Sequence, residues 1–142
     1  MLPRLLLALL LATTKLGAQT NGGSPPERSA AGSYTEGQAT RGKTAYDTYC
    51  ASCHTTSFHT DEQFRFNWFG RTVLDLFKTL RATMPEDNPG GLSDDEYARV
   101  IAYILKLNGF AAGADSLPSD TVTMKRLRIR PAGTDTVKNQ QP

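Results

Sequence analysis

The run Cys50-Ala51-Ser52-Cys53-His54 constrains this 142-residue chain more than any other feature, because it holds the only two cysteines present. Two thiols two residues apart on a turn of helix can each reach one vinyl group of the same porphyrin and form a thioether. The next residue then projects its imidazole under the ring centre, onto the iron. C-x-x-C-H is the attachment signature of a c-type haem, and a chain that carries one has to fold around it. The competing readings are weaker. A Cys50–Cys53 disulfide closes a tiny loop and constrains the unfolded chain little. A thioredoxin-like pair needs a βαβ setting, and no strand-like run flanks Cys50. A structural zinc site wants four Cys/His ligands, and beyond the run only His59 is left. His59 lies in the polar stretch His59-Thr60-Asp61-Glu62 and reads as a surface histidine.

The N-terminus agrees with that chemistry. Met1-Leu2-Pro3-Arg4 is a short positive start, Leu5 to Ala12 is apolar, and small and polar residues lead to Ala18. This is the layout of a secretory signal peptide over residues 1–18, cleaved near Ala18. The apolar run is too short to span a bilayer comfortably. Lys15 near the cleavage site is atypical, which keeps an uncleaved membrane anchor as the alternative. The expected location is periplasmic, where haem is attached to exported chains. Removing Arg4 and Lys15 takes the basic count from 16 to 14, against 14 acidic residues. The mature chain is near neutral, with nothing to attract nucleic acid and no evident steering field.

Composition divides the remainder into three. Residues 19–33, with Asn21-Gly22-Gly23-Ser24-Pro25-Pro26, read as a disordered linker. Residues 34–110 read as the folded domain. Residues 111–142 are polar, with Pro118, Pro131 and Gly133, and read as an extended tail in which Leu127 and Ile129 alternate with charges like a strap over the core. Within the domain, a first helix from about Thr35 to Ala51 delivers the cysteines at its end. A second, about Arg71 to Arg81, carries Val73, Leu76, Phe77 and Leu80 at helical spacing. The third has the best signals: the capping box Ser93-Asp94-Asp95-Glu96, a staple from Leu92 to Tyr97, and Asn108-Gly109 as its stop. Tyr97, Val100, Ile101, Ile104 and Leu105 recur on one face. No stretch alternates convincingly as a strand, so the fold class is all-α. A core of about 76 residues is marginal for stability alone; helices that pack on a large apolar ring escape that limit.

Three runs together, Cys50-Ala51-Ser52-Cys53-His54, Thr83-Met84-Pro85-Glu86-Asp87 and Gly91 to Tyr97 leading into Ile101-Ala102-Tyr103-Ile104-Leu105, resemble the mono-haem cytochromes c of class I. From Met84 to Phe110 the chain is similar to cytochromes c that accompany bacterial quinoprotein and other periplasmic dehydrogenases. The resemblance covers roughly residues 35–110. It implies a small helical domain wrapped round one covalent haem c, attached at Cys50 and Cys53 and ligated by His54. It further implies Met84 as the second axial ligand; without it, a lone Met is more often core filler. Met124, beyond the last helix, reads as a surface or strap residue. The family also crosses its first and last helices, for which Gly42 would admit an aromatic, either Tyr97 or Tyr103. One departure stands out. Many relatives orient the haem histidine with a proline carbonyl in a Gly-Pro-x-Leu run, yet no proline occurs between Pro26 and Pro85. Another carbonyl, near Asn67-Trp68-Phe69-Gly70, has to orient His54.

The segment from Thr55 to Gly70 reads as a loop with five aromatics, Phe58, Phe64, Phe66, Trp68 and Phe69, several of which would line the haem. Trp68 and Arg71 are candidates for propionate contacts, each equally explained as packing or a solvated charge. The function implied is electron transfer rather than enzymic catalysis, since Met/His ligation closes both iron faces. Expected partners are a redox donor and acceptor, such as a periplasmic dehydrogenase or a terminal oxidase. Two alternatives stay open. One is a haem enzyme or gas-binding protein with an open iron face, for which His59 would be the only distal base. The other is a haem subunit of a larger oxidoreductase, with linker and tail as attachment arms.

Overall fold

In the computed structural model, which describes residues 26–131, five helices follow one another. They are α1 (Glu36–Tyr49), α2 (Asp61–Trp68), α3 (Val73–Thr83), α4 (Asp94–Leu107) and α5 (Thr121–Arg126). A 3-10 turn, Thr56–His59, precedes α2, and two-residue strands β1 (Arg28–Ser29) and β2 (Leu127–Arg128) pair in parallel. The architecture is all-α, as the helical periodicity requires. The expected signal peptide (1–18), the first part of the linker (19–25) and the end of the tail (132–142) lie outside the described residues. No helix among the described residues is long and apolar enough to cross a membrane.

Local signals set the helix ends. At the start of α4, Ser93 Oγ accepts from the Glu96 backbone N–H at 3.2 Å while the Ser93 N–H donates to Glu96 Oε2 at 2.9 Å. This reciprocal pair satisfies two of the donors that every helix start leaves free. At the other end Gly109 adopts φ 75°, a left-handed conformation that costs a Cβ-bearing residue energy. The second expected helix begins at Val73 rather than Arg71, because Thr72 and Asp75 form a second capping box: Asp75 N–H to Thr72 Oγ1 at 3.1 Å, Thr72 N–H to Asp75 Oδ2 at 2.9 Å. The Thr72 N–H, and the Thr72 hydroxyl that also donates to Asp75 Oδ2 at 2.8 Å, hold the Asp75 carboxyl below its ordinary pKa.

The main packing is α1 across α4, and Gly42 permits it. A Cβ on Gly42 would stand 1.9 Å from the Arg99 carbonyl oxygen and 3.1 Å from Tyr103 Cβ. Tyr103 is therefore the aromatic that meets the first helix here, with its ring 5.5 Å from that of Tyr46. At an ordinary helix position Gly→Ala stabilises by up to about 1 kcal/mol. At Gly42 the clash is with backbone, so Gly42→Ala is expected to destabilise by about 1–3 kcal/mol or more. The sign of the shift in denaturant midpoint decides: an increase would mean the two helices do not approach this closely.

Three expectations need correction. The chain from Ala111 is not an extended tail through the described residues. Leu117, Met124, Leu127 and Ile129 are each 1% exposed or less, and Met124 sits on α5 in the core rather than at the surface. Backbone pairing holds this strap down: Ile129 N–H reaches the Arg71 carbonyl at 2.9 Å and Gly70 N–H the Ile129 carbonyl at 3.0 Å. On α1, the buried Gln38 amide donates to the Leu117 carbonyl at 2.8 Å and accepts from the Leu117 N–H at 2.7 Å. Nor is the end of the linker disordered, since β1 pairs with β2 and Ala30 is fully buried. Finally, the expected loop from Thr55 to Gly70 contains the 3-10 turn and α2. Its aromatics split between faces: Phe64 is buried, whereas Phe66 is 89% exposed.

Candidate functional site

α1 ends where the C-x-x-C-H run begins. Cys50 caps it, donating its N–H to the Tyr46 carbonyl at 2.8 Å, and the Cys53 and His54 N–H groups turn back to the Cys50 carbonyl at 3.1 and 2.9 Å. This wraps both thiols and the imidazole into a single turn. Both cysteines are free, Cys50 half-buried and Cys53 exposed. Burial raises the Cys50 thiol pKa, so it is a neutral thiol at neutral pH. The Tyr46 hydroxyl donates to the His54 carbonyl at 3.0 Å. Burial pushes that phenol up to about 12, which keeps it protonated.

The turn opens on a mostly apolar cavity of about 170 Å³ between α1, α2, α3 and α4. Leu76, Leu80, Val100, Ile104, Phe64 and Trp68 supply apolar walls, and Cys50, His54 and Met84 reach it as well. The same three residues also border a more open cleft of about 640 Å³ that includes Cys53, Pro85 and Leu92. Two unpaired thiols, an imidazole and a thioether thus converge on one slot with an apolar interior and a solvent-facing mouth. That donor set and those walls fit a haem c. A separate open cleft of about 370 Å³, lined by Arg28, Ser29, Asp115 and Leu127 among others, holds none of this chemistry.

Met84 is the C-cap of α3, its N–H donating to the Leu80 carbonyl at 2.8 Å. Its own carbonyl accepts from the buried Tyr97 hydroxyl at 2.6 Å. Met124 is absent from both the cavity and the cleft that Met84 borders.

His59 differs from expectation. It is not a surface group but half-buried, with its ring 5.6 Å from Tyr46 and 5.5 Å from His54, both edge-on. The 3-10 turn folds it back onto the site, and Asn108 Nδ2 donates to its carbonyl at 2.7 Å. Burial first, and the nearby His54 second, push its pKa down to about 4, so it is neutral at neutral pH. Of the five aromatics expected round the haem, Phe58, Phe64 and Trp68 line the cavity. Phe69 instead bridges Phe64 and Phe110, at ring distances of 6.4 and 6.2 Å. Arg71 lies over Trp68, its guanidinium carbon 4.8 Å from the ring centroid. Asn67 and Trp68, from the segment expected to orient His54, both reach the cavity.

The roles of the Tyr46 and Tyr97 hydroxyls escaped sequence reasoning. The available signal was the residue type itself: a tyrosine rather than a phenylalanine at a buried helical position implies a partner for its hydroxyl.

The family model for cytochrome C oxidase, cbb3-type, subunit III, matches residues 37–104. No curated protein and no solved structure matches the chain. The match spans α1 to most of α4, the elements that surround the slot, and takes in the whole C-x-x-C-H run. It implies one covalently attached haem c, whose attachment motif the Cys50 and Cys53 pair fits. The match supports a mono-haem c-type cytochrome-like domain over residues 37–104.

Proposed function

We infer that this protein is an exported one-electron carrier whose haem iron is held between His54 and Met84. The observation that carries the reading is that both residues line the same slot as Cys50, in the apolar cavity and in the cleft at its mouth. Haem iron, when bound, supplies the one-electron couple, and Met/His ligation raises its potential. The chain does the rest. Cys50 and Cys53 would anchor the group through thioethers, His54 and Met84 would ligate its iron, and Leu76, Leu80, Val100 and Ile104 would keep water from the interior. The cleft bordered by Cys53 and Pro85 is where an electron would enter and leave.

An open-faced haem enzyme is less well supported. Its only candidate distal base, His59, packs edge-on against His54 and so belongs to that ligand's side of the cavity. A haem subunit of a larger oxidoreductase has one specific support, the match to a family described as an oxidase subunit. Co-purification of an oxidase or dehydrogenase with the full chain would favour that reading over a diffusible carrier. Periplasmic export rests on residues 1–18. It is tested by cell fractionation and by sequencing the mature N-terminus, expected near Ala18.

The ligation is tested by visible spectroscopy. The ferric holoprotein is expected to show the weak far-red band of methionine ligation, and the reduced form to ignore carbon monoxide. Met84→Ala should lose the far-red band and bind carbon monoxide when reduced. Rapid carbon monoxide binding by the unmodified protein, with no far-red band, would sink the carrier assignment in favour of an open iron face.

A further inference from the structure

His54 and Met84 are held by their backbones in the same way. Each N–H donates to the carbonyl four residues earlier: His54 to Cys50 at 2.9 Å, Met84 to Leu80 at 2.8 Å. Each carbonyl accepts from a core tyrosine hydroxyl: His54 from Tyr46 at 3.0 Å, Met84 from Tyr97 at 2.6 Å. With both polar groups of the residue engaged, the direction in which its side chain leaves the backbone is fixed. The two tyrosines come from α1 and α4, the helices that cross at Gly42, and are 1% and 2% exposed. Tyr97 is steadied edge-on by Phe77, ring centroids 6.0 Å apart. Between Met84 and α4 the backbone–backbone hydrogen bonds are turn bonds, Asn88 N–H to the Pro85 carbonyl at 3.0 Å and Gly91 N–H to the Asn88 carbonyl at 2.9 Å, and Leu92 packs on the core only at the far end of the loop. Tyr97 is therefore the bond from the core to the Met84 end of this loop.

We propose that Tyr46 and Tyr97 are positioning residues for the two axial ligands, so that the crossing of α1 and α4 fixes His54 and Met84 together. The proposal rests on the His54/Met84 reading above. Met84 has no covalent tether near it, whereas His54 adjoins Cys53, so the effect of losing a hydroxyl differs between the two. Without the Tyr97 bond, Met84 yields the iron more readily to an added ligand. Without the Tyr46 bond, the His54 ring turns but stays in place.

The test uses the full-chain ferric holoprotein titrated with imidazole, with Tyr97→Phe, Tyr46→Phe and Tyr103→Phe compared. Tyr103 is buried in the same helix crossing, but its hydroxyl bonds neither ligand's carbonyl. Tyr97→Phe is expected to keep the far-red band and bind imidazole about tenfold more tightly, the scale of one lost buried hydrogen bond. Tyr46→Phe should leave imidazole affinity unchanged and rearrange the ferric haem-methyl proton shifts, which report axial-ring orientation. Tyr103→Phe should change neither. An unaltered affinity in Tyr97→Phe, or an equal gain in Tyr103→Phe, would overturn the proposal as general loosening or no effect. Should Tyr97→Phe fail to fold, unaltered methyl shifts in Tyr46→Phe overturn it. A missing far-red band in the unmodified protein would instead refute the ligation reading, and this proposal with it.

Discussion

Replacing both Cys50 and Cys53 with serine is expected to abolish covalent haem altogether. The unmodified chain, denatured and weighed by mass spectrometry, should carry one haem; the double variant should carry none. A hydroxyl cannot add to a porphyrin vinyl group as a thiol does, and the chain has no other cysteine to substitute. The loss reaches beyond colour. The slot is walled by Leu76, Leu80, Val100, Ile104, Phe64 and Trp68, drawn from three helices. Without the ring those side chains face a void, and each core side chain whose packing is lost costs on the order of 2–5 kcal/mol. That is a large share of the roughly 5–15 kcal/mol by which a domain is stable. The double variant should therefore melt broadly and tens of degrees lower, with its helical circular dichroism diminished. A variant that keeps haem through denaturation would show that the thioethers are not what holds it.

The same residues explain why the site was more legible in the sequence than the boundary of the fold. Cys50, Cys53 and His54 are adjacent in sequence, so their spacing alone states the chemistry. The caps of α4 are equally local, and Ser93 and Glu96 pair as the spacing predicts. What the sequence hides is contact between distant segments. Leu117, Met124, Leu127 and Ile129 follow no helical or strand period over their whole length, and charges separate them. Only the alternation of Leu127 and Ile129 with charges hints at a strap; nothing local marks Leu117 or Met124 as core. Their burial depends on partners about 50 to 100 residues away, Gln38 for Leu117 and the Gly70–Arg71 backbone for Ile129. His59 was misread for a related reason. Its neighbours are polar, but the 3-10 turn after Thr55 turns its ring towards Tyr46 and His54. The proposed ligand role of Met84 rests on a family resemblance, because a methionine announces no role by itself; its two backbone bonds are visible only in three dimensions.

Ending the chain at Phe110 is the second change with a large expected effect, because it removes the strap while leaving every haem-slot residue in place. Leu117, Met124, Leu127 and Ile129 are 1% exposed or less. Burial of each such side chain contributes about 1.5–3 kcal/mol, so four of them amount to most of a small domain's stability. The truncation also strips the buried Gln38 amide of both partners and exposes the face of α3 against which α5 packs. Each of those two lost hydrogen bonds contributes about 0.5–1.5 kcal/mol. The truncated holoprotein is expected to retain covalent haem, since the C-x-x-C-H turn is untouched. It should nonetheless melt at least 20 °C lower, or fail to accumulate. Ile129→Ala and Met124→Ala are graded versions, each expected to cost about 2–5 kcal/mol in denaturant titrations. A truncated protein melting within a few degrees of the full chain would mean that residues 34–110 are self-sufficient and that the strap only lies on them. The predicted drop would instead make the folding unit run from Arg28 to Ile129, with the strap closing against Gly70 and Arg71 behind Trp68, one wall of the haem slot.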